Sequence, residues 1–182
     1  RQLADADIGV AAVAVGQMVM SGTMAMTPVH IRGAGHDAAH TLRIVGVVIS
    51  LHIAGMYAFA PLIGCLTDRI GRRPVIVAGI VLLLAACALA GSAGYDTARL
   101  GAALTLVGLG WSCTMVAGST LLSESMPLEL RTSAQGLSDL IMGLAGASAG
   151  ALSGVVMSAW GYPVLALVAA MATAPLIVLG FW

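Results

Sequence analysis

The polar residues that could do chemistry are few, and they lie within apolar segments. His52, in VISLHIAGMY, is the ninth residue of an apolar run that begins at Ile44. An imidazole titrates near pH ~6.5, so this side chain could bind a solute or carry a proton. Alternatively, it could form a hydrogen bond to the backbone of a neighbouring helix.

Asp139 and Gln135 begin another apolar run, in AQGLSDL. They are spaced i, i+4 and therefore share one face of a helix. The positive amino end of that helix would stabilise an acid, which could pair with an arginine across the same membrane face. An interfacial acid in water is the alternative, and Asp139 lies too near the end of its run for a midplane proton relay. We keep His52, Asp139 and Gln135 as candidate substrate or proton sites.

The elements that hold these residues are membrane helices. Of the 182 residues, 59% are hydrophobic and 9% are charged, and the mean hydropathy is +1.00. Soluble domains carry about 25% charged residues, so most of this surface must face lipid. About 20 apolar residues cross a bilayer as a helix. The sequence predicts an all-α polytopic membrane protein, one bundle over residues 1–182, with six spans: Ile8–Thr27, Ile44–Leu66, Val75–Gly94, Leu100–Leu121, Gly136–Ala159 and Tyr162–Trp182.

The short link between the second and third spans concentrates charge in GCLTDRIGRRP. Gly64 allows another helix to approach closely, and Asp68 lies one turn further along the same face. Gly71 supplies the positive φ that ends a helix, and Asp68 could pair with Arg72. Flanking arginines that only set topology are the simpler explanation, but they do not account for the joint spacing of Gly64, Leu66, Asp68, Arg69, Gly71, Arg72 and Arg73.

This G-x-L-x-D-R-x-G-R-R pattern resembles the cytoplasmic loop motif of the major facilitator superfamily of secondary transporters. In that family the motif joins the second and third helices of a six-helix half, which is its predicted position here. The resemblance implies that Asp68 and the arginines form a latch, which closes the cytoplasmic side while the transporter faces outward and opens as two halves rock.

Several features resemble the carboxy-terminal half, helices seven to twelve. The chain has no initiating Met, and the span LTLVGLGWSCTMVAGSTLLSES has no arginine in its interior. The strong loop motif argues mildly for the amino-terminal half. The expected partners are a lipid bilayer, a second six-helix half in the same polypeptide, a small-molecule substrate and protons.

Arginine counts predict the orientation. With both ends cytoplasmic, that side would hold five of the eight arginines, three of them in one tight loop. We expect a multi-pass protein of the bacterial inner membrane. The fifth span also carries a stripe of small residues, which we expect to serve helix packing or a moving contact surface: Gly143, Gly146, Gly150 and Gly154.

The leading hypothesis is therefore a secondary active transporter that works by alternating access, with efflux as one possible direction. The alternatives are a complete six-helix carrier that acts as a dimer, or a membrane assembly subunit without transport. We expect no enzyme, because no nucleophile–base pair or metal-ligand set clusters at one depth. No cofactor or metal is predicted; a zinc site at His36 and His40 is a minor alternative. The zero net charge gives no sign of a nucleic-acid partner.

Overall fold

The computed structural model describes residues 2–35, 37–174 and 176–177, and within them the chain is helical without any strand. Six helices follow one another, with a 3₁₀ turn at Leu128–Leu130 before the last: α1 Gln2–Arg32, α2 Ala38–Tyr57, α3 Ala60–Ile70, α4 Arg72–Ser92, α5 Thr97–Ser125 and α6 Arg131–Met171. In this part of the chain, five helical segments are long and apolar enough to cross a membrane, α2 and α3 counting as one. The prediction of an all-α polytopic membrane protein is confirmed.

The last helix is broken at Gly161, where φ is 79° and ψ is 177°. An L-residue with a side chain rarely adopts this backbone conformation, and Pro163 starts the next turn without an N–H group. The break separates α6a, residues 131–160, from α6b, residues 162–171. The sixth predicted span begins at this break and continues past the described residues, so the count of six spans stays a prediction.

The helices differ from the predicted spans at two places. The spans leave residues 28–43 as the first link, but α1 continues through Pro28 to Arg32 and α2 begins at Ala38, so the link between the helices is shorter. Asp37 caps α2 by accepting a hydrogen bond from the His40 N–H at 2.9 Å. The second span is also not one continuous helix, since α2 ends at Tyr57 and α3 begins at Ala60.

Helix α5 forms the centre of the bundle. Of its most apolar 18-residue segment 61% is buried, against 11% of the corresponding segment of the stretch that contains α6. Glycines let its neighbours pack at backbone distance. A Cβ atom on Gly9 of α1 would lie 2.7 Å from the Gly118 carbonyl oxygen, and one on Gly55 of α2 would lie 2.6 Å from that of Thr105. Both distances are shorter than real Cβ contacts, so no larger residue fits these two crossings.

We call the two ends of the bundle the motif end and the opposite end. At the motif end α1 begins, α3 meets α4, and α5 meets α6a. At the opposite end α1 meets α2, α4 meets α5, and α6 breaks at Gly161.

Candidate functional site

The loop motif forms a sharp turn between α3 and α4. Gly71 has φ 95° and ψ 163°, and its N–H donates to the Thr67 carbonyl oxygen at 3.1 Å. Because this one residue reverses the chain, Arg72 and Arg73 occupy the first turn of α4 and reach the ends of other helices.

Arg72 connects three helices at the motif end. Its Nη2 donates to Glu124 Oε1, at the end of α5, at 2.6 Å, and to Asp68 Oδ1, on α3, at 3.5 Å. Its Nη1 donates to the Thr67 carbonyl oxygen at 3.2 Å. The short charge-assisted contact with Glu124 is the stronger of the two ion pairs.

Arg73 makes a second connection, to α1. Its Nε and Nη2 both donate to Asp5 Oδ1, at 3.1 and 2.7 Å. The Asp5 side chain is 24% exposed and that of Arg73 is 38% exposed, so water screens this pair only in part. Together the two arginines join α1, α3, α4 and α5 within one six-helix unit.

The remaining motif residues face away from the bundle. The Asp68 side chain is 74% exposed, and Arg69 is exposed with no ion-pair partner in the described part of the chain. Leu66 is 40% exposed, and a Cβ atom on Gly64 would meet nothing within 4 Å. The motif therefore has an inward side, Arg72 and Arg73, and an outward side, Asp68 and Arg69.

His52 is buried between α2 and α5. Its Nδ1–H donates to the Leu104 carbonyl oxygen at 2.8 Å, and only 2% of the residue is exposed. This is the contact expected of a histidine that holds two helices together. It favours the packing interpretation over a role in binding solute.

Gln135 and Asp139 lie on α6a near the motif end. Gln135 Nε2 donates to Ser119 Oγ at 3.4 Å, while its buried Oε1 has no hydrogen-bond partner among the described residues. Asp139 is exposed and lines an open surface depression with Arg131 and Thr132. His52 and Asp139 are thus not brought together in one site.

The glycine stripe of the fifth predicted span is mostly uncovered. Only Gly146 packs closely, since a Cβ atom there would lie 3.0 Å from Gln17 Cγ and Ser21 Oγ. At Gly143, Gly150 and Gly154, an added Cβ would meet nothing within 4 Å in the described part of the chain. Among the described residues, the closest glycine contacts join α5 to α1 and α2, as at Gly16 against Thr114 and Gly108 against the His52 carbonyl oxygen.

A polar and aromatic cluster at mid-depth was missed by the sequence analysis. Trp111 Nε1–H donates to Gln17 Oε1 at 2.8 Å, and Gln17 Nε2 donates to Ser21 Oγ at 3.2 Å. The ring of Tyr57 stands edge-on to that of Trp111, with centroids 6.1 Å apart and planes at 68°. We call Gln17, Ser21, Tyr57 and Trp111 the mid-depth cluster.

A helix break lies beside this cluster, and the sequence did carry its signal. Pro61 has no N–H group to donate to the Tyr57 carbonyl four residues earlier, so α2 ends at Tyr57 and α3 restarts at Ala60. Discontinuous helices near the midplane line the substrate sites of many transporters. A proline in the middle of a predicted span should have pointed to this region.

Comparison with known proteins gives the family. The model of the Major Facilitator Superfamily matches residues 8–182. The MFS-type transporters YddS and YdeG of Bacillus subtilis (strain 168), both named as uncharacterized, are 39% and 37% identical over 96% of the chain. The chain spans 39% and 40% of the length of these two relatives. A riboflavin transporter, RfnT of Brucella anthropi, is 27% identical over 74% of the chain and 33% of its own length.

The family match agrees with the turn at Gly71, the arginines that follow it and the half-sized helical bundle. This chain belongs to the Major Facilitator Superfamily.

Proposed function

We propose that this chain is the carboxy-terminal six-helix half of a secondary active transporter, which moves a small solute by alternating access. The length supports a half, since the chain spans about two fifths of the relatives YddS and YdeG. A second six-helix half in the same polypeptide would cover the exposed faces of α3 and α6a. Both ends would lie in the cytoplasm, with the motif end at the cytoplasmic face of a bacterial inner membrane.

The observation that carries this proposal is the division of the loop motif into two sides. Arg72 and Arg73 are held by Glu124 and Asp5 within the half. Arg69 is exposed, and Asp68 is 74% exposed and has only a long contact of 3.5 Å with Arg72, so both side chains could contact the other half. In this account the inward pairs keep the half rigid, and the outward residues form the latch that breaks when the halves rock.

The exposure of Asp68 suits this role. A pair near the surface is worth about 0–1 kcal/mol, so it can form and break within a transport cycle. Gly64, one turn before Asp68 on α3, leaves room for the approaching helix. The uncovered glycines of α6a offer a second surface on which the other half could slide.

We also propose that transport is coupled to protons. Among the acidic residues of the described helices, Asp139 lies furthest from a helix end. It lies about 10 Å from the level of Gly146, at ~1.5 Å per residue. A proton accepted there would reach the solute site through water or through the other half. Export driven by the proton gradient is the direction that we propose.

The test uses the complete polypeptide encoded by the reading frame of this chain, reconstituted in proteoliposomes with an imposed pH gradient. Flux would be screened over chemically diverse small solutes. Asp68→Asn is expected to slow transport about tenfold, because it removes the charge that closes the latch. Glu129→Gln is the matched control, since Glu129 is also an exposed acid at the motif end and has no ion-pair partner among the described residues.

Equal flux in the wild type, Asp68→Asn and Glu129→Gln would refute the latch. A protein that moves none of the solutes, and whose two sides never exchange access, would refute transport itself.

A further inference from the structure

The mid-depth cluster has the chemistry of a binding site for a particular kind of solute. We infer that it binds an uncharged, planar aromatic solute, and this inference rests on the proposed transport function. Three properties of the cluster support it: the arrangement of its rings, the free hydrogen-bonding capacity of its amide, and the distance to any charge.

The rings of Tyr57 and Trp111 form a corner. Their planes meet at 68° with centroids 6.1 Å apart, and Tyr57 is 60% exposed although it lies at mid-depth. A flat aromatic ring placed in this corner would stack on one ring and present its edge to the other. Both arrangements are favourable for aromatic pairs at such separations.

The side-chain amide of Gln17 supplies hydrogen-bond donors and acceptors in fixed positions. An indole N–H can only donate, so the contact with Trp111 fixes Oε1 on the Trp111 side and Nε2 on the Ser21 side. One N–H of the amide and one lone pair of Oε1 then remain, in addition to the hydroxyl hydrogen of Ser21. The cluster can therefore accept and donate hydrogen bonds to a neutral polar group on the solute.

No charged side chain among the described residues lies at this depth. In the described part of the chain, every Asp, Glu and Arg lies towards a helix end, and the nearest along α6a is Asp139. It lies about 10 Å from the level of Gly146, which contacts Gln17. His52 is committed to the Leu104 carbonyl. An ionised solute would lose its hydration here without gaining an opposite charge from this half, which is unfavourable at low dielectric.

The position of the cluster fits a site that faces the other half. Trp111 of α5 contacts Gln17 of α1 and Tyr57 of α2. Helix α2 packs mainly against α5, α1 packs against both α5 and α6, and α1 and α2 have little contact with each other. The break between α2 and α3 lies directly beside Tyr57. The cluster thus lies where α1, α2 and α5 come together at the middle of the bundle, with Tyr57 on its exposed side.

The experiment compares three probes that share one ring system and differ in charge: 2-naphthamide, 2-naphthoate and 2-(aminomethyl)naphthalene. Their binding to the complete polypeptide in lipid nanodiscs is measured by the concentration dependence of the thermal unfolding midpoint. We expect 2-naphthamide to bind at least about tenfold more tightly than either charged probe. Trp111→Leu should weaken it about tenfold through the loss of stacking.

Two variants keep the test decisive. Trp160→Leu is the control, because Trp160 is 65% exposed at the end of α6a and has no aromatic partner among the described residues. It should leave binding unchanged. Gln17→Glu keeps the acceptor for Trp111 and adds a charge, so it should reverse the preference in favour of 2-(aminomethyl)naphthalene by about tenfold.

Equal binding of the three probes, or equal effects of Trp111→Leu and Trp160→Leu, would overturn the inference. A Gln17→Glu variant without any change in charge preference would overturn it as well. These outcomes are separate from a failure of the transport function. Exchange of access between the two sides of the membrane can persist without charge selectivity, and selective binding can occur in a protein that does not exchange access.

Discussion

The two ends of the bundle are held together by different kinds of interaction. At the motif end, ion pairs join Arg72 to Glu124 and Arg73 to Asp5. At the opposite end, His30 is stacked between Tyr95 and Tyr162, with ring centroids 5.0 and 4.4 Å away and planes within 17° and 15° of parallel.

The stack is reinforced by two hydrogen bonds. His30 Nε2–H donates to the Gly94 carbonyl oxygen at 2.6 Å. The Tyr162 hydroxyl is 2.9 Å from Thr27 Oγ1, and because the Thr27 hydroxyl already donates to the Thr23 carbonyl, Tyr162 is the donor. These contacts tie the end of α1 to the loop before α5 and to the break at Gly161.

The two kinds of contact should respond differently to salt and to mutation. Ion pairs between partly exposed side chains weaken in salt, because salt screens the attraction between the charges. A buried tyrosine in a ring stack leaves a cavity when it is removed, so it fixes one geometry. We therefore expect the opposite end of the bundle to keep its geometry in high salt, and the ion pairs of the motif end to weaken there.

The largest effect is expected from Tyr162→Ala, because Tyr162 is 2% exposed and joins α6b to the stack. It should lower the free energy of unfolding by about 3 kcal/mol, measured by titration with SDS. Tyr162→Phe keeps the ring and removes only the hydroxyl, so it should cost about 1 kcal/mol. Equal losses in the two variants would mean that the ring stack contributes nothing.

A smaller effect is expected from breaking the Arg72–Glu124 pair. A double-mutant cycle with Arg72→Gln and Glu124→Gln should give a coupling energy of about 0.5–1 kcal/mol at low salt. The coupling should fall in 1 M salt, where the Debye length is only about 3 Å. The loss in Tyr162→Ala should not depend on salt. A coupling energy that is unchanged at high salt would contradict the proposed contrast between the ends.

The smallest effect on stability is expected from Arg69→Gln, because Arg69 is exposed and lies on the outward side of the motif. The free energy of unfolding should change by less than about 0.5 kcal/mol. Transport by the complete polypeptide should nevertheless slow, since Arg69 would contact the other half. A variant that unfolds normally and transports at the wild-type rate would remove Arg69 from the latch.

The sequence predicted the parts of this molecule that depend on local pattern. Six apolar runs indicated membrane helices, and the spacing around Gly71 indicated a turn followed by arginines. It could not identify Glu124 and Asp5 as their partners, because those contacts join residues 52 and 68 positions apart and depend on how α1 and α5 pack.

Long-range pairing also hid the mid-depth cluster. Gln17 and Trp111 are 94 positions apart, and each appears in the sequence as a single polar or aromatic residue in an apolar helix. Pro61 was a local signal that could have been used. The glycines of α6a, in contrast, have a clear local pattern. Their spacing predicts a face for close packing, but it does not say which helix will cover that face.

Under the proposed alternating access, the mid-depth positions of this bundle open to each side of the membrane in turn. This is tested most directly by Ser21→Cys in a cysteine-free background of the complete polypeptide, in sealed vesicles of known orientation. Serine to cysteine is a small change, and Ser21 lies beside Gln17 in the cluster. Ala85→Cys is the control, because Ala85 is exposed within α4 and does not belong to the mid-depth cluster.

A membrane-impermeant maleimide is applied to one side of the vesicles or to the other. We expect Ser21→Cys to react from both sides and Ala85→Cys to react from neither. Asp68→Asn should speed the reaction of Ser21→Cys from the motif side and slow it from the opposite side. Reaction of Ser21→Cys from one side only, with no response to Asp68→Asn, would contradict alternating access in this protein.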